Sequence, residues 1–152
     1  MNLKKEAASQ ALTLVQSGMT LGLGSGSTTA YFIDLLGEQI NSGTLKDILT
    51  VPTSVETADR ARSLGIPLTS LGWLSKQRQT QPLLDMAVDG ADEVDPQLNL
   101  IKGLGRALLR EKIVEIHTHN FVVIVDESKL VPRLGTKVAL PVEILPFEAE
   151  AH

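Results

Sequence analysis

Apolar residues in this chain fall into short blocks separated by polar or amphipathic stretches, and the alternation runs throughout. A stretch from about Leu3 to Gln16, ending near Gly18, predicts a first helix, and Met19–Leu23 predicts a short strand. The segment GLGSGSTT follows, and a helix is expected from about Thr28 to Ile40, with Tyr31, Leu35 and Ile40 among its apolar positions. Ile48–Val51 is the next strand. Thr53 with Glu56 three residues later forms a capping box for a helix that stops at Gly65. Ile66–Leu68 reads as a short strand and Gly72–Pro82 as polar connection. Leu84–Val88 is a strand leading into DGADEVDP. After a glycine-containing turn, a helix spans about Arg106 to His117. Phe121–Val125 reads as the clearest buried strand, and Val138–Leu145 as the last one. Strand–helix alternation with short links predicts an α/β fold, a mostly parallel sheet with helices on both faces. Ligands of such sheets bind beyond the carboxyl ends of the strands. Attention therefore goes to Gly24–Thr28, Val51–Ser54, Asp89–Asp92 and Asp126–Lys129.

Length and composition narrow the picture. The 152 residues suit one domain, or one domain plus part of another. A chain of this size buries about 70% of its unfolded surface and needs no disulfide or metal to hold a core. Three Phe, one Trp and one Tyr are too few for base-stacking platforms or aromatic cages. With 14 Lys and Arg against 18 Asp and Glu, the net charge is -4 and no basic stripe is visible, which argues against nucleic acid or an anionic membrane as partner. The absence of Cys excludes a disulfide framework, a thiolate metal site and a cysteine nucleophile. The start MNLKKEAASQALTLV has no long apolar core of a signal peptide, and the run Phe121–Val125 is far shorter than the ~20 residues of a membrane span. A cytoplasmic location is expected.

Three segments carry candidate chemistry. In GLGSGSTT, Gly24 and Gly26 allow backbone N–H groups to turn toward a ligand. Ser25, Ser27 and Thr28 add hydroxyls at a helix N-terminus, a combination suited to a phosphate dianion. No Gly-Lys-Ser/Thr follows, so it is not a Walker A loop, and Ser27 occupies the third glycine position of the dinucleotide fingerprint. The plainer alternative is a tight turn with a good N-cap. In DGADEVDP the acids fall at relative positions 1, 4, 5 and 7, a poor match to a calcium loop. Asp89 and Asp92 lie past a strand end, facing the ligand crevice; the alternative is a solvated acidic turn. On the following helix, Leu109, Ile113 and Ile116 form an apolar stripe, and Glu111 points away from it. Its neighbours at i−4, i−3 and i+3 are Ala107, Leu108 and Val114, and Glu115 at i+4 is a like charge. Glu111 thus has no helical ion-pair partner and sits among apolar groups, both of which raise a carboxyl pKa and suit a general base. An ordinary surface glutamate is the alternative. His117 and His119 are better placed to meet the helix dipole than a metal. Trp73 reads as a loop anchor, Lys4 and Lys5 as solvated charge, and Lys129 as either an anion contact or a solvated surface residue.

Taken together, GLGSGSTTAYF, VPTSVETADRARSLGIPL, DMAVDGADEVDPQLNLIKGLGRALLREKIV, FVVIVDESKLVPRLG and LPVEILPF resemble type A ribose-5-phosphate isomerase, from about Leu3 to the last residues. The resemblance implies interconversion of ribose 5-phosphate and ribulose 5-phosphate in the pentose phosphate pathway, with neither metal nor organic cofactor. It assigns Glu111 the role of proton-shuttling base, Asp89 assistance in ring opening, and Lys102 stabilisation of the enediolate. Substrate contacts implied are Ser25, Gly26, Ser27 and Thr28; Asp89, Gly90, Ala91 and Asp92; Lys102, Gly103, Leu104 and Gly105; and Lys129. Lys4 aligns loosely with a lysine near the phosphate. Leu104 and Arg106 stand where many relatives have a glycine-rich KGGGGA-like stretch, which implies a more crowded neighbourhood for Lys102. Family chains continue beyond LPVEILPFEAEAH into a small α+β domain. The resemblance therefore reads residues 1–137 as a Rossmann-like catalytic domain and 138–152 as the incomplete start of the second, with a homodimer or higher homo-oligomer as the assembly. The competing expectation is a non-catalytic sugar-phosphate-binding module, either like the effector domains of DeoR-type regulators or an inactive truncated isomerase.

Overall fold

The computed structural model describes residues 2–78 and 81–144. Its elements are α1 (Leu3–Leu12), β1 (Thr20–Leu23), α2 (Ser27–Asn41), β2 (Leu49–Pro52), α3 (Val55–Ser63), α4 (Leu71–Gln77), β3 (Leu84–Asp89), β4 (Glu93–Val94), β5 (Leu100–Ile101), α5 (Leu108–Glu115) and β6 (Thr118–Val123), followed by a 3-10 turn at Glu127–Lys129. Four strands form a parallel sheet in the order β2-β1-β3-β6, and β4 and β5 pair separately as an antiparallel ribbon.

Helices cover both faces of the sheet. On one, Leu21, Leu23, Met86 and Val88 pack with Ala8 and Ala11 of α1, Phe32, Ile33 and Leu36 of α2, and Ala61 of α3. On the other, Val51 and Leu84 pack with Leu74 of α4 and Val114 of α5. β1 and β3 occupy the middle of the sheet, which accounts for the continuously apolar character of their cores. Gly22 lets α5 lie directly on the sheet: a Cβ there would stand 2.6 Å from Val114 Cγ1 and 2.8 Å from Ala87 Cβ. The expected α/β architecture is therefore the observed one.

Several local expectations need correction. Phe121–Val125 is not the buried strand it resembles. The strand runs Thr118–Val123 at the sheet edge, with His119, Asn120 and Phe121 exposed. An apolar run reports affinity for a core, not whether a further strand lies beyond it. Val138–Ile144 is not a strand, and Leu145 lies outside the described residues. Backbone N–H groups of Gly135, Lys137 and Val138 donate to the buried Glu93 carboxylate, so a side chain takes the donors that a ladder would use. Part of the Gly72–Pro82 connection is helix α4, N-capped by Ser70 and anchored by buried Leu74; Trp73 is half exposed. Ile66–Leu68 contributes only one bridge, Leu68 to Thr50. The ribbon β4–β5 was hidden in the acidic turn because each strand has two residues, too few for a periodicity. Helix α3 is capped by Ser54, whose Oγ accepts the Thr57 N–H, and not by Thr53.

Candidate functional site

The carboxyl ends of β1, β2 and β3 open onto a cleft of about 330 Å³. One wall is the turn from β1 into α2. Its position over β3 depends on Gly24, where a Cβ would lie 2.1 Å from Asp89 Cγ. Gly24 N–H donates to Val88 O at 2.9 Å, while hydroxyls from the next βα unit brace the turn. Thr57 Oγ1 donates to Gly24 O at 2.8 Å, Thr53 Oγ1 to Leu23 O at 3.0 Å, and Ser25 Oγ lies 2.8 Å from Thr53 Oγ1. Thr53 is thus part of the turn's scaffold, a role invisible in a capping pattern. Gly26 caps α2 without a side-chain hydrogen bond, leaving the first-turn N–H groups beside Ser27 and Thr28 without intrahelical acceptors. Lys4 Nζ donates to Ser27 Oγ at 2.8 Å, and Lys129 lines the same cleft.

The opposite wall is a buried charge cluster. Asp89 ends β3, and its Oδ1 accepts the N–H groups of Ser25 (3.1 Å) and Gly90 (2.7 Å). Lys102 follows β5 and projects to the same point. Its Nζ donates to Gly90 O at 2.6 Å and lies 3.1 Å from Asp89 Oδ2, 3.2 Å from Glu111 Oε2 and 3.2 Å from Glu115 Oε1. These four side chains are at most 9% exposed. The ribbon places the lysine: Asp92 N–H donates to Ile101 O at 2.7 Å, and Asp92 Oδ2 accepts the Leu104 N–H at 3.0 Å.

Burial is the largest influence on every carboxyl of the cluster. It raises the Asp89 pKa against the pull of Lys102, and raises that of Glu111 with help from the Asp89 charge. Glu115 is raised by burial too. Lys102 is pushed down by burial, but Asp89, Glu115 and Glu111 outweigh that and hold it above the ordinary lysine value. The three carboxylates thus favour the ammonium form of Lys102.

Asp89, Glu111 and Glu115 place carboxylate oxygens within 4.8 Å of one another, a spacing that suits a metal ion. Lys102 contacts all three, so a cation already serves this group and would repel a second one.

The sequence-predicted residues Ser25–Thr28, Asp89–Asp92, Lys102, Gly103, Gly105, Glu111 and Lys129 all line the cleft. Leu104 does not; its side chain is half exposed and only its N–H enters the site's framework. The α5 apolar stripe is inverted relative to simple expectation: Leu109, Ile113 and Ile116 face outward, while Glu111 and Val114 face inward. His117 behaves as expected, with Nδ1 2.7 Å from Ile113 O at the helix end. Glu115 is the residue that sequence reasoning missed. Its spacing marked it as a like-charge neighbour of Glu111, and only Lys102, arriving from another element, makes it part of the site.

A family model described as ribose 5-phosphate isomerase A (phosphoriboisomerase A) matches residues 49–152, more than half of the chain. The chain belongs to the ribose 5-phosphate isomerase A family. It is 51% identical over 146 residues to the probable ribose-5-phosphate isomerase 2 of Arabidopsis thaliana, covering 95% of this chain and 52% of that protein. The ribose 5-phosphate isomerase of Plasmodium falciparum superposes with a TM-score of 0.89 at 46% identity, over 98% of this chain and 61% of that one. A D-ribose-5-phosphate isomerase in complex with phospho-erythronic acid superposes with a TM-score of 0.82 at 51% identity, over 90% of this chain and 58% of that one. This ribose 5-phosphate isomerase A family chain thus spans between 52% and 61% of the length of these relatives. Leu104 and Arg106, which depart from the glycine-rich KGGGGA-like pattern, do not crowd Lys102, since both are exposed. Arg106 keeps a glycine-like backbone, with φ 59.

Proposed function

We propose that this chain carries the catalytic site of an aldose–ketose isomerase acting on D-ribose 5-phosphate and D-ribulose 5-phosphate. One observation carries the reading: a buried carboxylate, Glu111, and the ammonium of Lys102 sit 3.2 Å apart in a cleft whose other wall is an open helix N-terminus. The α2 N–H groups, Ser27, Lys4 and Lys129 suit the phosphate, as dipole and cations both favour a dianion. Asp89 assists ring opening. Glu111 then takes the proton from C2, the C–H electrons form the C1–C2 double bond, and the C1 carbonyl becomes an enediolate oxygen beside Lys102. Glu111 returns its proton to C1 while the proton on O2 passes to the O1 oxyanion, so that the C2 carbonyl and the C1 hydroxyl form together and the ketose is complete. A fixed cation acts most strongly on charge that develops only at the enediolate stage. The ligand of the phospho-erythronic acid complex supports this layout for the present chain, because its name joins a carboxylate to a phosphate, as an enediolate sugar phosphate joins two anionic ends.

The test is a coupled assay of ribose 5-phosphate conversion on the purified chain, with solvent deuterium incorporation at C1 of the product and C2 of recovered substrate as a second readout. Glu111→Gln is expected to lower kcat about 10²–10⁴-fold, the usual contribution of a positioned base, and to leave sugar-phosphate affinity within about threefold. A folded chain that binds ribose 5-phosphate with neither conversion nor exchange would mark a binding module. Near-normal kcat in Glu111→Gln would remove the base from that residue.

A further inference from the structure

We propose that Glu115 is a positioning residue for Lys102: from one turn beyond Glu111 on α5, it holds the ammonium at the point where Asp89 and Glu111 also meet it. The inference rests on the isomerase reading for its kinetic consequence, but its structural content stands on the geometry of the cluster.

An ammonium has three hydrogens. Lys102 Nζ faces four acceptors, namely Gly90 O at 2.6 Å and carboxylate oxygens of Asp89, Glu111 and Glu115 at 3.1 to 3.2 Å. Gly90 O takes one hydrogen, and three carboxylates compete for the remaining two. Consistent with that shortage, Asp89 Oδ2 and Glu115 Oε1 are buried without a well-directed hydrogen bond. Such an ammonium can turn from one carboxylate to another without losing all its partners. Asp89 and Glu111 line the cleft, whereas Glu115 lies behind them on the side of Leu100, Phe121 and Leu140. When a substrate oxygen draws Lys102 forward, Asp89 and Glu111 have their own work, and Glu115 is the carboxylate left to hold the lysine from behind. Carbonyls alone would not keep a cation oriented against the pull of two front-facing anions.

The second consequence is a charge effect on the base. The groups facing Glu115 are Lys102 from the segment after β5, Asp89 from the end of β3, and Lys112 and Glu111 from its own helix. The Glu115 charge raises the proton affinity of Glu111, and its hold on Lys102 limits how fully the ammonium neutralises that base. Removing the charge acts in one direction by both routes: Glu111 binds its proton less tightly.

The experiment compares the chain with Glu115→Gln and Glu115→Asp. NMR titration of Lys102 Nζ in the ligand-free protein needs no turnover. Its midpoint is expected to move down in Glu115→Gln and to be restored in Glu115→Asp. In the isomerisation assay, Glu115→Gln should lower kcat about 10- to 100-fold, the scale of a misplaced catalytic group, with KM changed by less than about threefold. The acidic limb of its kcat/KM profile should move to lower pH, and Glu115→Asp should recover most of both effects. An unchanged Lys102 midpoint in folded Glu115→Gln overturns the proposal, whatever the assay shows. If Glu115→Gln does not fold, the wild-type Glu115 carboxyl carbon decides: a single titration in the ordinary glutamate range, with no response at the Lys102 midpoint, overturns it. Absence of turnover in the wild-type chain counts against the isomerase reading alone, and the Lys102 titration still judges Glu115.

Discussion

At the scale of single residues, the informative fact is an imbalance of charge. Asp89, Glu111 and Glu115 surround one Lys102, so ionisation of all three carboxyls would leave two uncompensated negative charges in a buried place. The fold accepts this arrangement at a cost in stability, and the sign of that cost is testable. Burial, reinforced by Asp89, raises the Glu111 pKa above its ordinary value near 4.5. A carboxyl raised in the folded state contributes stability below its unfolded pKa and loses it as pH rises through the folded one. Glu111→Gln, which removes the charge at constant shape, is therefore expected to melt above wild type at pH 7–8 by about 1–4 °C, and the gap should close as pH falls below the raised folded value toward about 4.5. Melting curves of both proteins across that range check it. Local spacing on the α5 segment made Glu111 a candidate, with an ordinary surface glutamate as the alternative. It was not enough to find Glu115, because a like-charge neighbour becomes a partner only when a cation from a distant segment lies between the two.

At the scale of elements, the sequence patterns located helices and strands better than they located faces. Ser54 and Thr53 are adjacent hydroxyl residues before α3, and the Thr53-to-Glu56 spacing favoured the wrong one as cap. Ser54 Oγ accepts the Thr57 N–H at 3.0 Å, while buried Thr53 spends its hydroxyl on Leu23 O and Ser25 Oγ across the sheet. Ser54→Ala should accordingly cost about 1 kcal/mol, or roughly 2–4 °C in Tm, by thermal unfolding followed by circular dichroism. The same limit governs α5. Its wheel has two apolar sides, and amphipathicity alone favours Leu109, Ile113 and Ile116 as the inner one. Gly22 and Ala87 leave room on the sheet for Val114, and that fit turns the helix so that Glu111 faces the cleft.

At the scale of the whole molecule, the two ends of the sheet and its far edge behave differently. At the carboxyl end the framework is braced, with the turn over Asp89 held by Thr53 and Thr57 and the segment after the 3-10 turn tied to Glu93. The far edge differs: among the described residues β6 is the last strand on that side, and Ile116, Phe121 and Leu140 are exposed beside it. Exposed apolar surface next to an edge strand promotes self-association. Sedimentation velocity is expected to show association that grows with concentration, and Ile116→Lys with Leu140→Lys should reduce it without disturbing the cleft. A chain that remains monomeric at all concentrations, or a double variant that associates unchanged, would contradict this.

The sequence patterns were enough for the class of fold, for strands β1, β2 and β3 with helices α1, α2, α3 and α5 between and around them, and for the strand ends where chemistry is placed, while the full set of cleft residues came from the family resemblance. The elements and strand ends follow from local preferences, since periodicity, turn chemistry and short links act over a few residues at a time. Tertiary structure alone decided which strand is the edge, which side of α5 is buried, which hydroxyl caps α3, and that Glu115 joins Asp89 and Glu111 around Lys102. Each of those depends on where distant segments come to lie. Burial and Coulombic attraction are properties of a position in space, and no spacing along the chain encodes them.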